Sequence, residues 1–306
     1  MNGYIAHTDH GWWRSQSEIK GAEANFWRPT PRRFEALQPG EPFFFRVKSP
    51  IGKIGGFGLF STFAVLPVWR AWDIFAAANG AATEESLREQ IKRLARGAGP
   101  TPDRIGCIAL GGCVFFTPGE FLDVPASFNP QNLSGSRIDL ETPEGKELWS
   151  ACLERAESDQ ETPGRLPDTA KYSRYGKPQL ILPRIGQAAF RLAVLDAYAG
   201  KCAMTGESSA PAIEATHIRP WSRGGDHKRQ NGLPLRRDLH RLFDLGYIAI
   251  TPVRTLTVSP KLRAEFGGGD AYYALEGNEL IEPTNPEHRP AQETLVWHLR
   301  EIFKAE

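Results

Sequence analysis

The sequence predicts an α+β protein in two parts, and three observations carry that expectation. Residues 1 to about 155 alternate short apolar runs with turns and hold two helical patterns between the third and fourth run. Residues from about 178 onward alternate helical patterns with short strands around a cluster of histidines and arginines. Between them lies SDQETPGRLPDTAKYSRYGKP, polar and rich in Pro and Gly, which reads as a linker. The expected boundaries are 1–155, 156–177 and 178–306, and 306 residues suffice for two domains that each bury a core.

The first part is expected to be a small curved sheet or barrel with helices at its side. Its strand-like runs are YIAH, the aromatic PFFFRVK, IGGFGLFSTFAVL and IGCIALGGCVFF. The helical patterns cover Val68 to Ala78 and Thr83 to Arg96; the second puts Leu87, Ile91 and Leu94 on one face and acidic residues in its first turn. The second part opens with a helix, Phe190, Val194 and Tyr198 falling at i, i+4 and i+8, with Gly200 as its stop. A β-like run then ends at His217, a turn follows at Gly224-Gly225, and a short apolar run after Asn231 leads to a helix carrying His240. A closing helix sets Leu295, Leu299 and Ile302 on one face, and there is no internal repeat or low-complexity segment.

Composition narrows the function classes. No apolar run reaches membrane-spanning length, and MNGYIAHTDHGWW lacks the basic and long apolar regions of a signal peptide, so a soluble, cytoplasmic protein with no membrane partner is expected. Cys107, Cys113, Cys152 and Cys202 form no CxxC pair, which argues against a disulfide framework and against structural zinc. Cys202 reads as a small core residue. A net charge of +1 excludes a uniformly basic nucleic-acid protein but not a local patch. Such a patch runs from Arg219 through Arg223, Lys228, Arg229, Arg236 and Arg237 to Arg241, against only Asp226 and Asp238. Phosphate-backbone binding is the expected use of this run.

His217, Asn231 and His240 carry the chemistry. One imidazole can take a proton from water while another side chain holds a divalent cation against a phosphodiester. The stretch EATHIRPWSRGGDHKRQNGLPLRRDLHRLFDLG resembles the motif of HNH endonucleases, a ββα-metal hairpin and helix. PRIGQAAFRLAVLDAYAGKCAMTGE before it and GGGDAYYALEGNEL after it resemble the same family, in the subgroup of predicted restriction endonucleases, and extend the likeness over most of 178–306. The resemblance implies His217 as general base, Asn231 as the brace of the loop, and His240 as ligand to Mg²⁺, Mn²⁺ or a similar ion. Many HNH enzymes place a further metal ligand immediately before the base, where this chain has Thr216; Glu214 or Asp244 could replace it.

The first part resembles the EVE domain of the PUA-like superfamily through YIAHTDHGWW and NFWRPTPRRFEALQPGEPFFFRVKSPIGKIGGFGLF. Proteins joining such a domain to an HNH nuclease are modification-dependent restriction endonucleases, which extrude a methylated or hydroxymethylated cytosine into an aromatic pocket. The resemblance therefore implies double-stranded DNA carrying modified cytosine as substrate, in a prokaryotic cytoplasm, with a homodimer for double-strand cleavage. Trp12, Trp13, Trp27, Trp69 and Trp72 could supply stacking faces for a flipped base. Trp12 and Trp27 lead because each sits in a loop-like polar stretch, with Trp13 next. Two other readings stay open: a catalytically impaired nucleic-acid-binding protein, given Thr216, and an HNH nuclease acting on RNA or unmodified DNA.

Overall fold

The structure, a computed structural model, describes residues 1–19, 21–95, 102–129, 132, 135–158 and 186–305. It divides into two compact units, Met1–Ala189 and Phe190–Glu306. Of the expected linker, residues 156–158 continue a helix and residues 159–177 lie outside the described residues.

The first unit is built on one mixed six-stranded sheet. Its strands are β1 (Asn2–Thr8), β2 (Glu23–Arg28), β3 (Pro42–Val47), β4 (Ile54–Pro67), β5 (Arg104–Phe115) and β6 (Ser136–Asp139), in the spatial order β2-β5-β4-β3-β1-β6. Only β1 and β3 run parallel; every other neighbouring pair is antiparallel. The edge strands β2 and β6 each pair with a single neighbour, so of the two expected forms the sheet takes the open one. Register shifts where β4 meets β3 and β5 bend it, because an extra residue on one strand kinks the ladder and increases its twist.

Both faces of this sheet are covered, which explains the unbroken apolar run of β3. Phe43, Phe44 and Phe45 are all fully buried although successive side chains point to opposite faces. Phe44 meets Trp149 of α4 (Pro143–Ser158) edge to face, together with Phe57, Leu148 and Cys152. Phe43 and Phe45 meet Tyr4, Phe26, Phe34 and Trp12 of α1 (His10–Ile19) on the other side. The two expected helices are α2 (Val68–Phe75), continued by a 3₁₀ turn to Asn79, and α3 (Glu84–Leu94). Thr83 and Ser86 close a reciprocal cap at the start of α3, satisfying two backbone donors that the helix leaves open.

The second unit takes all but the first three residues of α5 (Gln187–Ala197). A two-stranded ribbon, β7 (Ile213–His217) and β8 (Gly232–Arg236), is followed directly by α6 (Arg237–Asp244). A second ribbon, β9 (Ile248–Ile250) and β10 (Leu256–Val258), leads to α7 (Lys261–Phe266), α8 (Asp270–Tyr273) and α9 (Gln292–Glu301). The core gathers Phe190, Leu192 and Val194 of α5, Leu233 and Leu235 of β8, Leu239 and Phe243 of α6, and Leu295 of α9. Gly232 sets one approach within it: a Cβ there would stand 2.3 Å from Val194 Cγ2 and 2.7 Å from Phe190. Its lack of a side chain lets β8 lie directly against α5. No helix among the described residues is long and apolar enough to cross a membrane.

Candidate active site

The ribbon and α6 bring the three sequence-selected residues onto one small unit. His217 is the last residue of β7 and pairs with Gly232. Its ring lies flat on Phe190, centroids 3.8 Å apart and planes within 8°. Burial is the main reason its pKa falls, to about 4, with the neighbouring His227 adding to the effect. The imidazole is therefore neutral at physiological pH, the state a proton acceptor requires.

Asn231 is buried just before β8. Its Oδ1 accepts from the Arg219 amide at 2.9 Å, and its Nδ2 donates to the carbonyls of Arg219 (2.9 Å) and Asp226 (2.7 Å). The side chain thus ties both ends of the loop that follows His217. Gly224 turns that loop with φ +78°, and a Cβ on Gly225 would stand 1.8 Å from the Arg219 carbonyl oxygen. The Gly-Gly pair is a steric condition of the loop.

His240 lies on α6 between two carboxylates. Its Nδ1 is 3.0 Å from Glu214 Oε2 and its Nε2 is 3.2 Å from Asp244 Oδ2. The hydrogen bond to Asp244 is the main cause that raises its pKa, against burial and with help from Glu214. The two carboxylates occupy opposite ring nitrogens, so they do not face one point. Accordingly, no group of three His, Cys, Asp or Glu side chains converges as a metal shell among the described residues. Both oxygens of Glu214 are engaged, Oε1 by Arg237 Nε at 2.8 Å and Oε2 by His240. Thr216 is buried beside His217.

The basic run is less free than its composition suggests. Arg236 forks onto Asp238, Arg237 meets Glu214, and Lys228 meets Asp226 at 2.9 Å. Arg229 is half-buried, donating Nη1–H to His288 Nε2 at 3.0 Å, and Arg219 lies over Trp297 while donating to the Arg223 carbonyl. Arg223 and Arg241 are exposed and take part in no ion pair among the described residues. Cys202 is buried, its sulfur 3.4 Å from the Arg236 amide.

Three residues of the site went unread in the sequence. His227 Nδ1 is 2.8 Å from His217 Nε2, Trp221 stacks on His227 at 5.0 Å and 6°, and Phe190 backs His217. His227 stands in the stretch that resembles the HNH motif, but nine residues separate it from His217, and spacing does not reveal ring contact across a loop.

In the first unit a 490 Å³ cavity is lined by Trp12, Phe26, Trp27, Arg28, Lys48 and Gln90, among others. Trp12 and Trp27 lie on α1 and β2, correcting the expectation that each occupies a loop. Both indole N–H groups are pinned, Trp12 to the Asn25 carbonyl (3.1 Å) and Trp27 to the Asn79 carbonyl (2.8 Å). Trp13 is buried: its indole N–H donates to the Gly55 carbonyl at 2.8 Å, its ring meets Phe121 edge to face, and it does not line this cavity. Trp69 and Trp72 do not line it either. His7 does; its Nδ1 accepts from Arg46 (2.9 Å) and its Nε2–H donates to the Asn132 carbonyl (2.8 Å). Because arginine only donates, this fixes the neutral Nε2–H tautomer, in line with a pKa lowered chiefly by burial.

The profile of the HNH endonuclease family matches residues 202–251, the span that holds His217, Asn231 and His240. This segment is an HNH endonuclease motif. Among solved structures, the ASCH protein of Zymomonas mobilis is 13% identical at TM-score 0.35, covering 48% of this chain and 94% of that one. A mutant form of that ASCH protein is likewise 13% identical, at TM-score 0.34, covering 48% and 96%. A modification-dependent restriction endonuclease, TagI, is 15% identical at TM-score 0.28, covering 86% of this chain and 62% of that one. The comparison with curated proteins returned no match.

Proposed function

We propose that this protein is a modification-dependent DNA endonuclease, whose HNH segment hydrolyses the backbone and whose first unit selects the substrate. The observation that carries the nuclease reading is the ββα unit itself: a neutral His217 at the end of β7 and a carboxylate-flanked His240 on α6, within the span that matches the HNH family.

The donor set fits a hard divalent cation such as Mg²⁺ or Mn²⁺, because one imidazole and one carboxylate leave most of an octahedral shell to water and phosphate. His240 Nε2 and Asp244 would hold it, while Glu214, with both oxygens already engaged, orients the His240 ring through Nδ1. When bound, the ion supplies neutralisation of the developing negative charge on the phosphate. His217 accepts the proton of the attacking water. Asn231 keeps the loop closed so that the base stays in register with the ribbon. Exposed Arg223 and Arg241, with Lys228, meet the flanking phosphates.

The cavity of the first unit supports selection by an extruded base. Trp12, Phe26 and Trp27 give π-faces, Gln90 and the Arg28 guanidinium give polar edges, and modified cytosine in double-stranded DNA is the proposed ligand. Because one such motif cuts one strand, double-strand cleavage calls for two copies, hence a homodimer on DNA. The test is a plasmid cleavage assay with and without Mg²⁺ or Mn²⁺ on matched plain, methylated and hydroxymethylated DNA. Metal-dependent cutting that favours a modified substrate is expected. Equal cutting of all three would remove the reader, and no cutting with any metal would leave a nucleic-acid-binding protein.

A further inference from the structure

Four rings form a continuous column across the base: Phe190, His217, His227 and Trp221. Phe190 lies parallel to His217 at 3.8 Å, His227 meets His217 at 61° with 2.8 Å between Nδ1 and Nε2, and Trp221 lies parallel to His227 at 5.0 Å. We infer that His227 is a positioning residue that fixes the tautomer and orientation of His217, so that the atom receiving the proton of water is His217 Nδ1. This rests on the nuclease reading above.

Proton bookkeeping on the pair leads there. Two neutral imidazoles joined nitrogen to nitrogen share one bridging hydrogen. If His227 supplies it, the single proton of His217 sits on Nδ1 and the ring has no free lone pair. If His217 supplies it from Nε2, Nδ1 is bare and can accept. Only the second arrangement makes a base, and it requires a bare Nδ1 on His227 facing His217. When water gives its proton to His217 Nδ1, the ring becomes an imidazolium with both nitrogens protonated and the hydroxide goes to the phosphorus. The Nε2–H bond to His227 then becomes charge-assisted and stronger, so His227 favours the protonated ring that the reaction creates over the neutral ring it starts from. Phe190 and Trp221 hold the two planes, leaving neither imidazole free to flip about χ2 without breaking a stack.

The experiment uses the full-length chain. Nitrogen-15 correlation spectra of the metal-free protein report the His217 tautomer directly: Nε2–H with bare Nδ1 is expected, and Nδ1–H overturns the inference whether or not the protein cuts. For turnover, His227→Ala should lower kcat about 10- to 100-fold with KM within about twofold, the loss of one hydrogen bond to a charged group. His227→Asn, whose amide oxygen falls near the position of Nδ1, should recover most of that loss, and His227→Gln, which reaches toward Nε2, should not. A His227→Ala enzyme with wild-type kcat overturns the inference, as does a loss confined to KM that Asn does not repair, which would mark His227 as a DNA contact. His217→Ala sets the zero, and failure of the wild type to cut would count against the nuclease reading, with the tautomer still readable.

Discussion

Asn79 in the first unit and Asn231 in the second each make three side-chain hydrogen bonds, and what they hold differs. Asn79 accepts from Asn25 and donates to the carbonyls of Ala71 and Ala76, while its own carbonyl pins Trp27. Of these partners Trp27 lines the aromatic cavity, so Asn79 holds one of its rings in place, while Asn25 and Ala71 are fully buried. Asn231 instead closes the loop that carries His227, whose Nδ1 meets His217 Nε2 at 2.8 Å. The first asparagine holds a ring of the cavity through bonds to the main chain. The second holds a loop beside side-chain pairs, His217 with His227 and His240 with its carboxylates, that water, metal or phosphate can enter.

The comparison breaks most visibly at the reactive pairs. His217→Ala should reduce turnover by about 100- to 10,000-fold, the usual range for a general base, with DNA affinity retained. His240→Ala should match it but recover partly in excess Mn²⁺, as cleavage assays across metal concentration would reveal. Retained activity in His217→Ala would reassign the base.

The two asparagines give the next contrast. Asn79→Ala removes three hydrogen bonds from a buried position and should cost about 2–4 kcal/mol of stability in the first unit. Asn231→Ala should cost cleavage more than fold, because it frees a loop. Thermal melts and cleavage rates on both variants sort the two roles, and identical profiles would erase the distinction.

A third effect depends on pH. His298 of α9 is buried, stacked on Phe243 at 3.7 Å, with Nε2–H donated to the Phe243 carbonyl at 3.1 Å, and burial lowers its pKa to about 4. Since the unfolded chain binds the proton first, stability is full above pH 6.5 and falls as pH drops toward 4. The loss amounts to about 3 kcal/mol. Subtracting a His298→Phe variant cancels the other histidines, among them His240, whose pKa moves the opposite way. A pH-independent difference between the two proteins would refute the assignment.

Smaller changes sharpen the cavity. In an inactive His217→Ala background, Trp27→Ala should weaken preference for modified duplex by about 1–3 kcal/mol, one lost base stack, if the melt stays cooperative. Smaller still, Arg223→Ala with Arg241→Ala should flatten the salt dependence of binding by about two log-log units, and an unchanged slope would show a merely solvated surface.

Strands β1, β3, β4 and β5 were legible because a sheet covered on both faces writes long apolar runs into the chain. Strand β2 was not, being six residues with only Ala24, Asn25 and Trp27 buried. Helix α1 was also missed: adjacent Trp12 and Trp13 beside Gly11 break the 3.6 period, and the helix is held by Asp9 capping the amides of Gly11 and Trp12. The same adjacency hides which of the two lines the cavity, because neighbouring positions on a helix point about 100° apart and Trp12 reaches it while Trp13 does not. In the second unit, the placement of His217 at a strand end, Asn231 before the next strand and His240 on a helix was readable from residue type and order. The split between Glu214 and Asp244 was not, because it depends on which ring nitrogen each carboxylate faces.

The end of the ring column has an optical consequence. Trp221 is 55% exposed, the most accessible of the eight tryptophans, and it lies parallel to His227. Water-borne quenchers such as iodide reach this indole before the others, so the accessible fraction of the intrinsic emission comes mainly from one loop. The chain therefore carries its own fluorophore at the rim of the histidine pair, and any molecule that settles over that loop will shield it from the quencher.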